Sequence, residues 1–205
     1  MSIVRRFHGS LVWDRRVDVL AGAVVAALPE GAKVLDVGCG DGTISAEVLS
    51  RRPDVQVTGL DVLVRPDTKI PVTGYDGRRI PFEDDDFDVV VFVDVLHHTE
   101  DPVAVLREAA RVAKSGLVVK DHLADGLFAR PTLRVMDWVG NASFGVALPY
   151  NYLTRSQWNE AFAACDLTIA TANEDLKLYA RPLSWVFDRD LHVVWRLTPA
   201  DHEHG

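Results

Sequence analysis

One short stretch, residues 33–43, constrains the fold more than any other part of the chain. Its sequence is Lys-Val-Leu-Asp-Val-Gly-Cys-Gly-Asp-Gly-Thr. A short apolar run leads into alternating glycines, and a segment with helical periodicity follows them. This order is typical of a buried parallel strand, a tight nucleotide-binding turn and a covering helix. The sequence therefore predicts an α/β fold with a ligand site at the end of its first strand.

The spacing of the glycines argues against a dinucleotide as the ligand. A dinucleotide fingerprint places its third glycine three residues after the second, but Thr43 stands at that position and Gly42 arrives one residue early. Asp36 and Asp41 lie on either side of the turn, and their carboxylates would repel a pyrophosphate bound at a helix N-terminus. A cationic ligand without phosphate suits the turn better, and S-adenosylmethionine has this chemistry.

Further motifs follow the turn in a fixed order. Gln56–Asp61 is predicted to be a second strand that ends in an acidic residue, at the separation from the glycine turn that a strand-helix-strand unit requires. Next come Tyr75-Asp76-Gly77, a continuous apolar strand over residues 87–94, and the sequence Val-Leu-His-His at 95–98. Together these motifs resemble the seven-stranded, Rossmann-like (class I) S-adenosylmethionine-dependent methyltransferases, of the small-molecule type known as methyltransferase type 11-like.

This resemblance implies a fold and a cofactor. The fold would have three layers, α/β/α, around a mostly parallel seven-stranded sheet with an antiparallel last strand, in the spatial order three, two, one, four, five, seven, six. The cofactor would be S-adenosylmethionine, with Asp61 at the ribose hydroxyls and the loop of Asp76 at the adenine. The residues assigned to the cofactor by resemblance are Asp36, Gly38, Cys39, Gly40, Asp61, Val62, Asp76, Gly77 and Asp94.

We expect a single methyltransferase domain over residues 1–205. Pro66 and Pro71 interrupt the segment between the second and third strands, so the usual crossover helix is predicted to be missing there. Thr154 is predicted to cap a late helix. The expected parts are an N-terminal covering helix within 1–32, a cofactor-binding core at 33–120, an aromatic-rich cap or substrate insertion at 121–154, and a C-terminal helix with closing antiparallel strands at 155–205.

Two histidines are candidates for a general base. Methyl transfer is an in-line displacement, so the protein must mainly align donor and acceptor, and a base is needed only when the acceptor carries a proton of high pKa. His98 follows the fourth predicted strand and His122 the fifth, where ligands of such sheets bind. For His97 and His98 the alternative is a pair at a helix start that is satisfied by backbone groups, and for His97 this alternative is favoured.

A metal site is the alternative to metal-free chemistry. Asp94 and Asp121 match the positions of two carboxylates that hold magnesium in the catechol-type O-methyltransferases, but His122 stands where that subgroup has asparagine. Imidazole is a poor ligand for a hard cation, although it suits iron, zinc or nickel. The rest of the chain does not resemble the subgroup. We therefore expect no metal, and keep Asp94, Asp121 and His122 as the alternative.

Composition narrows the class of partner. The chain has 205 residues and a formal net charge of -8. This charge argues against a nucleic-acid partner, because proteins that bind nucleic acid need a basic face. Its two cysteines, Cys39 and Cys165, suit a reducing cytoplasm, and no apolar stretch reaches the length of a membrane span. We expect a cytoplasmic protein with an apolar or aromatic small-molecule acceptor, and the oligomeric state stays open.

The predicted function is methyl transfer from S-adenosylmethionine to an oxygen, nitrogen or carbon atom of that acceptor. One alternative is a protein that binds S-adenosylmethionine or its product without transferring a methyl group. Another is a nicotinamide-dependent oxidoreductase, which Thr43 and Asp36 disfavour.

Overall fold

The computed structural model describes residues 3–141 and 150–200, and the side chains within them of residues 12–138 and 150–200. Part of the predicted insertion, including Phe144, lies outside the described residues. The elements are α1 (Ile3–Ala27), β1 (Lys33–Val37), α2 (Thr43–Arg51), β2 (Gln56–Asp61), β3 (Val72–Gly74), β4 (Val89–Val93), a 3-10 turn (Leu96–His98), α3 (Pro102–Val112), β5 (Leu117–His122), α4 (Ala129–Asn141), α5 (Arg155–Ala163), β6 (Leu167–Asn173), α6 (Ser184–Phe187) and β7 (His192–Pro199).

The strands form one seven-stranded sheet in the order β3-β2-β1-β4-β5-β7-β6. The first five strands in this order pair in parallel, whereas β7 is antiparallel to both β5 and β6. The predicted strand order and the antiparallel last strand are confirmed. The order reverses between β1 and β4, and ligands of open α/β sheets bind at such a switch point, beyond the carboxyl ends of the strands.

Two apolar clusters cover the two faces of the sheet. Along β4, Val90 and Phe92 contribute to one cluster with α3 and α5, while Val89 and Val91 contribute to the other with α1 and α2. Successive side chains of a strand point to opposite faces, so a strand covered on both faces must be apolar throughout. The predicted three-layer arrangement is thereby confirmed.

The connection from β2 to β3 has no helix. The described segment 62–71 contains only bends and irregular backbone, and β3 itself has three residues. The missing helix was predicted from Pro66 and Pro71. Without a covering helix, Val62, Leu63 and Val64 are exposed beside the end of β2.

Two elements add detail to the prediction. β5 extends through Lys120, Asp121 and His122, and these polar residues at its end are buried with polar partners. The insertion was expected to be an aromatic-rich cap, and it contains the helix α4, which buries Ala129 and Leu133 and exposes Trp138.

Thr154 caps α5 as predicted, with Gln157 completing a capping box. In the described part of the chain, every helix is too short or too polar to cross a membrane.

Candidate active site

The glycine turn after β1 needs glycine at Gly38. Its φ is +75°, and an added Cβ would lie 2.6 Å from a methyl carbon of Val95. The amide of Gly38 donates a hydrogen bond of 2.6 Å to the carbonyl of Leu60 at the end of β2. The turn is therefore held against β2 on one side and against the segment that follows β4 on the other.

Asp61 ties this turn to the loop after β2. Its carboxylate accepts hydrogen bonds of 2.8 Å from the backbone amides of Gly40 and Leu63. A Cβ added at Gly77 would lie 3.2 Å from a methyl carbon of Val62, so the loop that follows β3 borders the same region. These predicted cofactor residues lie together at neighbouring strand ends.

Asp36 is buried beneath the turn. Its carboxylate accepts a hydrogen bond of 2.6 Å from the hydroxyl of Ser45 in α2. Burial raises the pKa of Asp36 to about 6, against the smaller opposing effect of the Ser45 hydrogen bond. Burial, followed by the carboxylates of Asp36 and Asp61, also raises the pKa of Cys39, so its thiol stays protonated and is a poor nucleophile.

Asp76 caps its own turn. Its carboxylate accepts hydrogen bonds from the backbone amides of Arg78 at 2.8 Å and Arg79 at 3.1 Å. These contacts fix the shape of the loop, and a role of Asp76 at the adenine stays a prediction.

Asp94 stands at the first position after β4, in a left-handed conformation with φ +57°. One carboxylate oxygen bonds Lys120 of β5 and the other bonds Arg16 of α1. Burial raises the pKa of Asp94, but Lys120 and Arg16 together outweigh it and hold the pKa well below its usual value. A metal at Asp94 would have to compete with two cations already bound there, which weakens the alternative of Asp94, Asp121 and His122 as ligands.

Two histidines surround the buried ammonium of Lys120. The Nδ1 atom of His192 is 3.3 Å from Nζ of Lys120, and His122 stands opposite His192 in the pairing of β5 with β7. Burial, and then the charge of Lys120, hold the pKa of both imidazoles well below the usual value. Both are therefore neutral. His122 is buried, with Nε2 3.5 Å from an Asp94 oxygen.

His97 lies between two carboxylates. Its Nδ1 atom is 2.7 Å from Asp121 of β5, and its Nε2 atom is 3.4 Å from Asp137 of α4. The hydroxyl of Tyr152 donates to the same oxygen of Asp137. Burial lowers the pKa of His97, but the two carboxylates reverse this effect and raise it to about 10. The partners of the His97 side chain are thus carboxylates, and the expectation of backbone partners was wrong.

His98 is half-buried beside His97, with ring centroids 4.0 Å apart. Burial, and then the charge of His97, lower its pKa, so the imidazole is neutral near pH 7. Its backbone amide donates to the carbonyl of Val95, the residue whose side chain lies against Gly38. The turn that carries His98 therefore begins at the glycine turn.

Sequence reasoning missed several members of this polar cluster, namely Arg16, His97, Lys120, Asp137, Tyr152 and His192. One signal was available, because a lysine directly after the apolar run Leu-Val-Val of β5 is expected to be buried and paired. The pairings themselves join elements far apart in sequence, and no local pattern reveals them.

The glycine turn fits S-adenosylmethionine. A Cβ added at Gly40 would meet the guanidinium of Arg65 at 3.7 Å as its nearest neighbour, so the turn is open where a ligand would approach. The carboxylate of Asp61 lies beside this turn at the end of β2, and the apolar side chain of Val62 next to it is exposed. The buried carboxylate of Asp36 adds negative charge for a cationic ligand.

Comparison with known proteins supports the same assignment. A family model described as a methyltransferase domain matches residues 8–172. A ubiquinone biosynthesis O-methyltransferase of Hahella chejuensis is 40% identical over 103 residues, which are 44% of this chain and 42% of that protein. A 27-O-demethylrifamycin SV methyltransferase of Amycolatopsis mediterranei is 32% identical over 115 residues, 50% of this chain and 41% of that protein. The matches thus span about two fifths of the length of these relatives.

Solved structures share the fold. An S-adenosylmethionine-dependent methyltransferase from Mesorhizobium loti superposes with a TM-score of 0.62 at 22% identity, over 83% of this chain and 93% of that one. The mitomycin 7-O-methyltransferase MmcR gives the same TM-score of 0.62 at 23% identity, over 88% of this chain and 53% of that one. With the matched family domain, the strand order and the glycine turn, the chain belongs to the class I, Rossmann-like S-adenosylmethionine-dependent methyltransferases.

Proposed function

We propose that the protein transfers a methyl group from S-adenosylmethionine to a hydroxyl oxygen of a small molecule, with His98 as the general base. One observation carries this proposal: the turn that bears His98 begins at Val95, whose side chain lies against Gly38 of the cofactor turn. A neutral imidazole is thereby held next to the place where the donor is expected. Relatives named as O-methyltransferases support an oxygen acceptor.

The cofactor supplies a methyl group that is already activated on a sulfonium. The chain would hold this cofactor with the backbone of Gly38 and Gly40, the carboxylate of Asp61 and the negative charge of Asp36. Asp94 is neutralised by Lys120 and Arg16. Its role is therefore to fix the start of the 3-10 turn that carries His98 relative to β5. The main contribution of these groups is alignment of donor and acceptor.

His98 would accept the proton of the acceptor hydroxyl. Burial, and then the charge of His97, lower the pKa of His98 and keep it neutral, and a neutral imidazole can take a proton near pH 7. His122 stays a second candidate, although its burial makes direct contact with an acceptor harder. Phe128 and Trp138 of the cap are exposed, and they are candidates for contact with an apolar part of the acceptor.

The test uses purified protein, labelled S-adenosylmethionine and a panel of phenols, catechols and hydroquinones. We expect turnover with at least one acceptor, and we expect His98→Gln to lower kcat by about 100-fold or more while the Kd for S-adenosylhomocysteine is unchanged. Tight binding of S-adenosylhomocysteine with no turnover on any acceptor would favour the non-catalytic alternative. Full turnover by His98→Gln would remove His98 as the base. His122→Gln, measured alongside, tests the second candidate.

A further inference from the structure

Three side chains of the polar cluster bring potential metal ligands close together. One potential ligand atom from each of His97, His98 and Asp137 lies within 4.8 Å of one from each of the other two. We propose that these residues bind a divalent transition-metal ion of the zinc type, and that the bound ion blocks His98 as a base. The binding of the metal does not depend on the proposed function, whereas the blocking of His98 as a base rests on it.

His97 is oriented as a metal-binding histidine usually is. Its Nδ1 atom is 2.7 Å from the carboxylate of Asp121, which in turn accepts the backbone amides of Leu96 and His122. Its Nε2 atom is buried and faces the Asp137 carboxylate at 3.4 Å without the geometry of a hydrogen bond, so a metal ion that bound there would replace the Nε2 proton. A histidine that binds a metal through one ring nitrogen commonly donates from the other to a carboxylate, which fixes the ring. Asp121 is placed for that supporting role.

His98 offers a second nitrogen of the same kind. Its Nδ1 atom is also buried without a hydrogen-bond partner in the described part of the chain, and its ring lies 4.0 Å from that of His97. Leaving a buried polar nitrogen unsatisfied costs free energy, and here two such nitrogens occur on adjacent residues. A single metal ion would satisfy both.

Asp137 supplies the carboxylate. Its Oδ2 atom lies 3.4 Å from Nε2 of His97, and the hydroxyl of Tyr152 holds that oxygen in place. In a tetrahedral zinc site, bonds of about 2.0–2.1 Å place two ligand atoms about 3.4 Å apart. Two imidazoles and a carboxylate favour Zn²⁺, Co²⁺, Ni²⁺ or Fe²⁺ over Mg²⁺, and they leave a fourth position for water.

This group differs from the metal site considered from the sequence. Asp94 is already paired with two cations, Lys120 and Arg16. By contrast, the carboxylates of Asp121 and Asp137 both lie beside His97. The neighbouring group of His97, Asp121 and His122 also has ligand atoms within 4.8 Å. In that group, however, the Nδ1 atom of His97 and the Asp121 carboxylate are already bonded to each other.

Coordination would remove the proton-accepting atom of His98. If the metal binds one ring nitrogen of a neutral imidazole, the remaining proton must occupy the other nitrogen. Neither nitrogen then has a free lone pair for the acceptor hydroxyl. We therefore expect the metal to inhibit the transfer.

Metal binding is tested first, by calorimetric titration of chelator-treated protein with Zn²⁺ and by the visible absorption of bound Co²⁺. The parent protein in this experiment is the full chain with the substitutions His202→Ala and His204→Ala, because the terminal His-Glu-His sequence would bind metal by itself. We expect one equivalent of Zn²⁺ to bind, and His98→Gln to weaken binding by about 100-fold or more. His122→Gln is the matched control and should bind as the parent does.

Circular dichroism and unfolding midpoints show that each variant is folded. If the parent protein binds no Zn²⁺, or if His98→Gln binds as tightly as the parent, the site is refuted. Loss of binding in His122→Gln with retention in His98→Gln would refute it in favour of the neighbouring group.

Turnover gives a separate readout. We expect Zn²⁺ to lower kcat reversibly, with recovery on chelation and an unchanged Kd for S-adenosylhomocysteine. A rise in turnover with Zn²⁺ would refute the inhibition. If Zn²⁺ binds as expected but no acceptor is methylated with or without metal, the binding site stands and the proposed function fails.

Discussion

Asp94 and Lys120 form an ion pair across neighbouring strands, and the lysine is wholly buried, at 0% exposure. Their backbones are joined as well, since the amide of Asp94 donates to the carbonyl of Lys120 at 2.9 Å. Burying two charges is costly, but removing one member of such a pair costs more, because the other charge stays buried without it.

Lys120→Met is therefore expected to lower the free energy of unfolding by about 3 kcal/mol, since Arg16 still balances part of the Asp94 charge. Denaturant unfolding measures the loss. Lys114→Met, at an exposed position, should stay within about 0.5 kcal/mol of the parent. The double variant Lys120→Met with Asp94→Asn should recover part of the loss. A change below about 1 kcal/mol in Lys120→Met would contradict the importance of the pair.

Asp61 should contribute to cofactor binding in two ways. Asp61→Ala removes the carboxylate that we propose binds the ribose and also releases the amide of Gly40. We expect the affinity for S-adenosylhomocysteine to fall by roughly 1 to 3 kcal/mol, measured by calorimetry. NAD should not bind the parent protein at micromolar concentration. Asp67→Ala, on the exposed loop, serves as the control, and an unchanged affinity in Asp61→Ala would remove Asp61 from the site.

The raised pKa of Asp36 predicts a pH-dependent affinity for S-adenosylmethionine. Below pH about 6 the carboxyl is protonated in the free protein, and a cationic ligand favours the ionised form. Affinity should therefore be highest above pH 6 and fall by up to about tenfold for each pH unit below it. Asp36→Asn should bind more weakly at pH 7 and lose this pH dependence. A parent protein with constant affinity from pH 5 to about 7 would contradict the prediction.

Gly38 and Val95 should show coupled effects on stability. Gly38→Ala forces a side chain into a left-handed conformation and places its Cβ against Val95, so unfolding free energy should fall by about 2 kcal/mol or more. Val95→Ala removes the opposing methyl groups. In a double-mutant cycle, Gly38→Ala should cost less in the Val95→Ala background, and equal costs in both backgrounds would show that the contact does not matter.

The sequence predicted what depends on local patterns. Pro66 and Pro71 predicted the missing crossover helix, and Thr154 predicted the start of α5. The strand order came from resemblance to a family. The burial of the end of β5 was not predicted, because Lys120 breaks the apolar pattern that marks a buried strand, although its charge is balanced inside the protein.

Only some residues of the polar cluster were predicted from the sequence. His98 and His122 were chosen because they follow strands, and the structure brings both next to His97 and brings His122 near Asp94. Asp137 could not be predicted as a member of the cluster, because it lies in α4 and its partner His97 lies 40 residues earlier in the sequence. Contacts of this kind form only in the folded protein, between residues that are far apart in the sequence.

The two edge strands of the sheet have a consequence for aggregation. A long, flat edge strand would offer unpaired backbone groups to another sheet. At one edge β3 offers only three residues, and at the other the pairing of β6 is interrupted between Ile169 and Thr171. Neither edge is a good template for a further strand, so the sheet is expected to resist edge-to-edge aggregation.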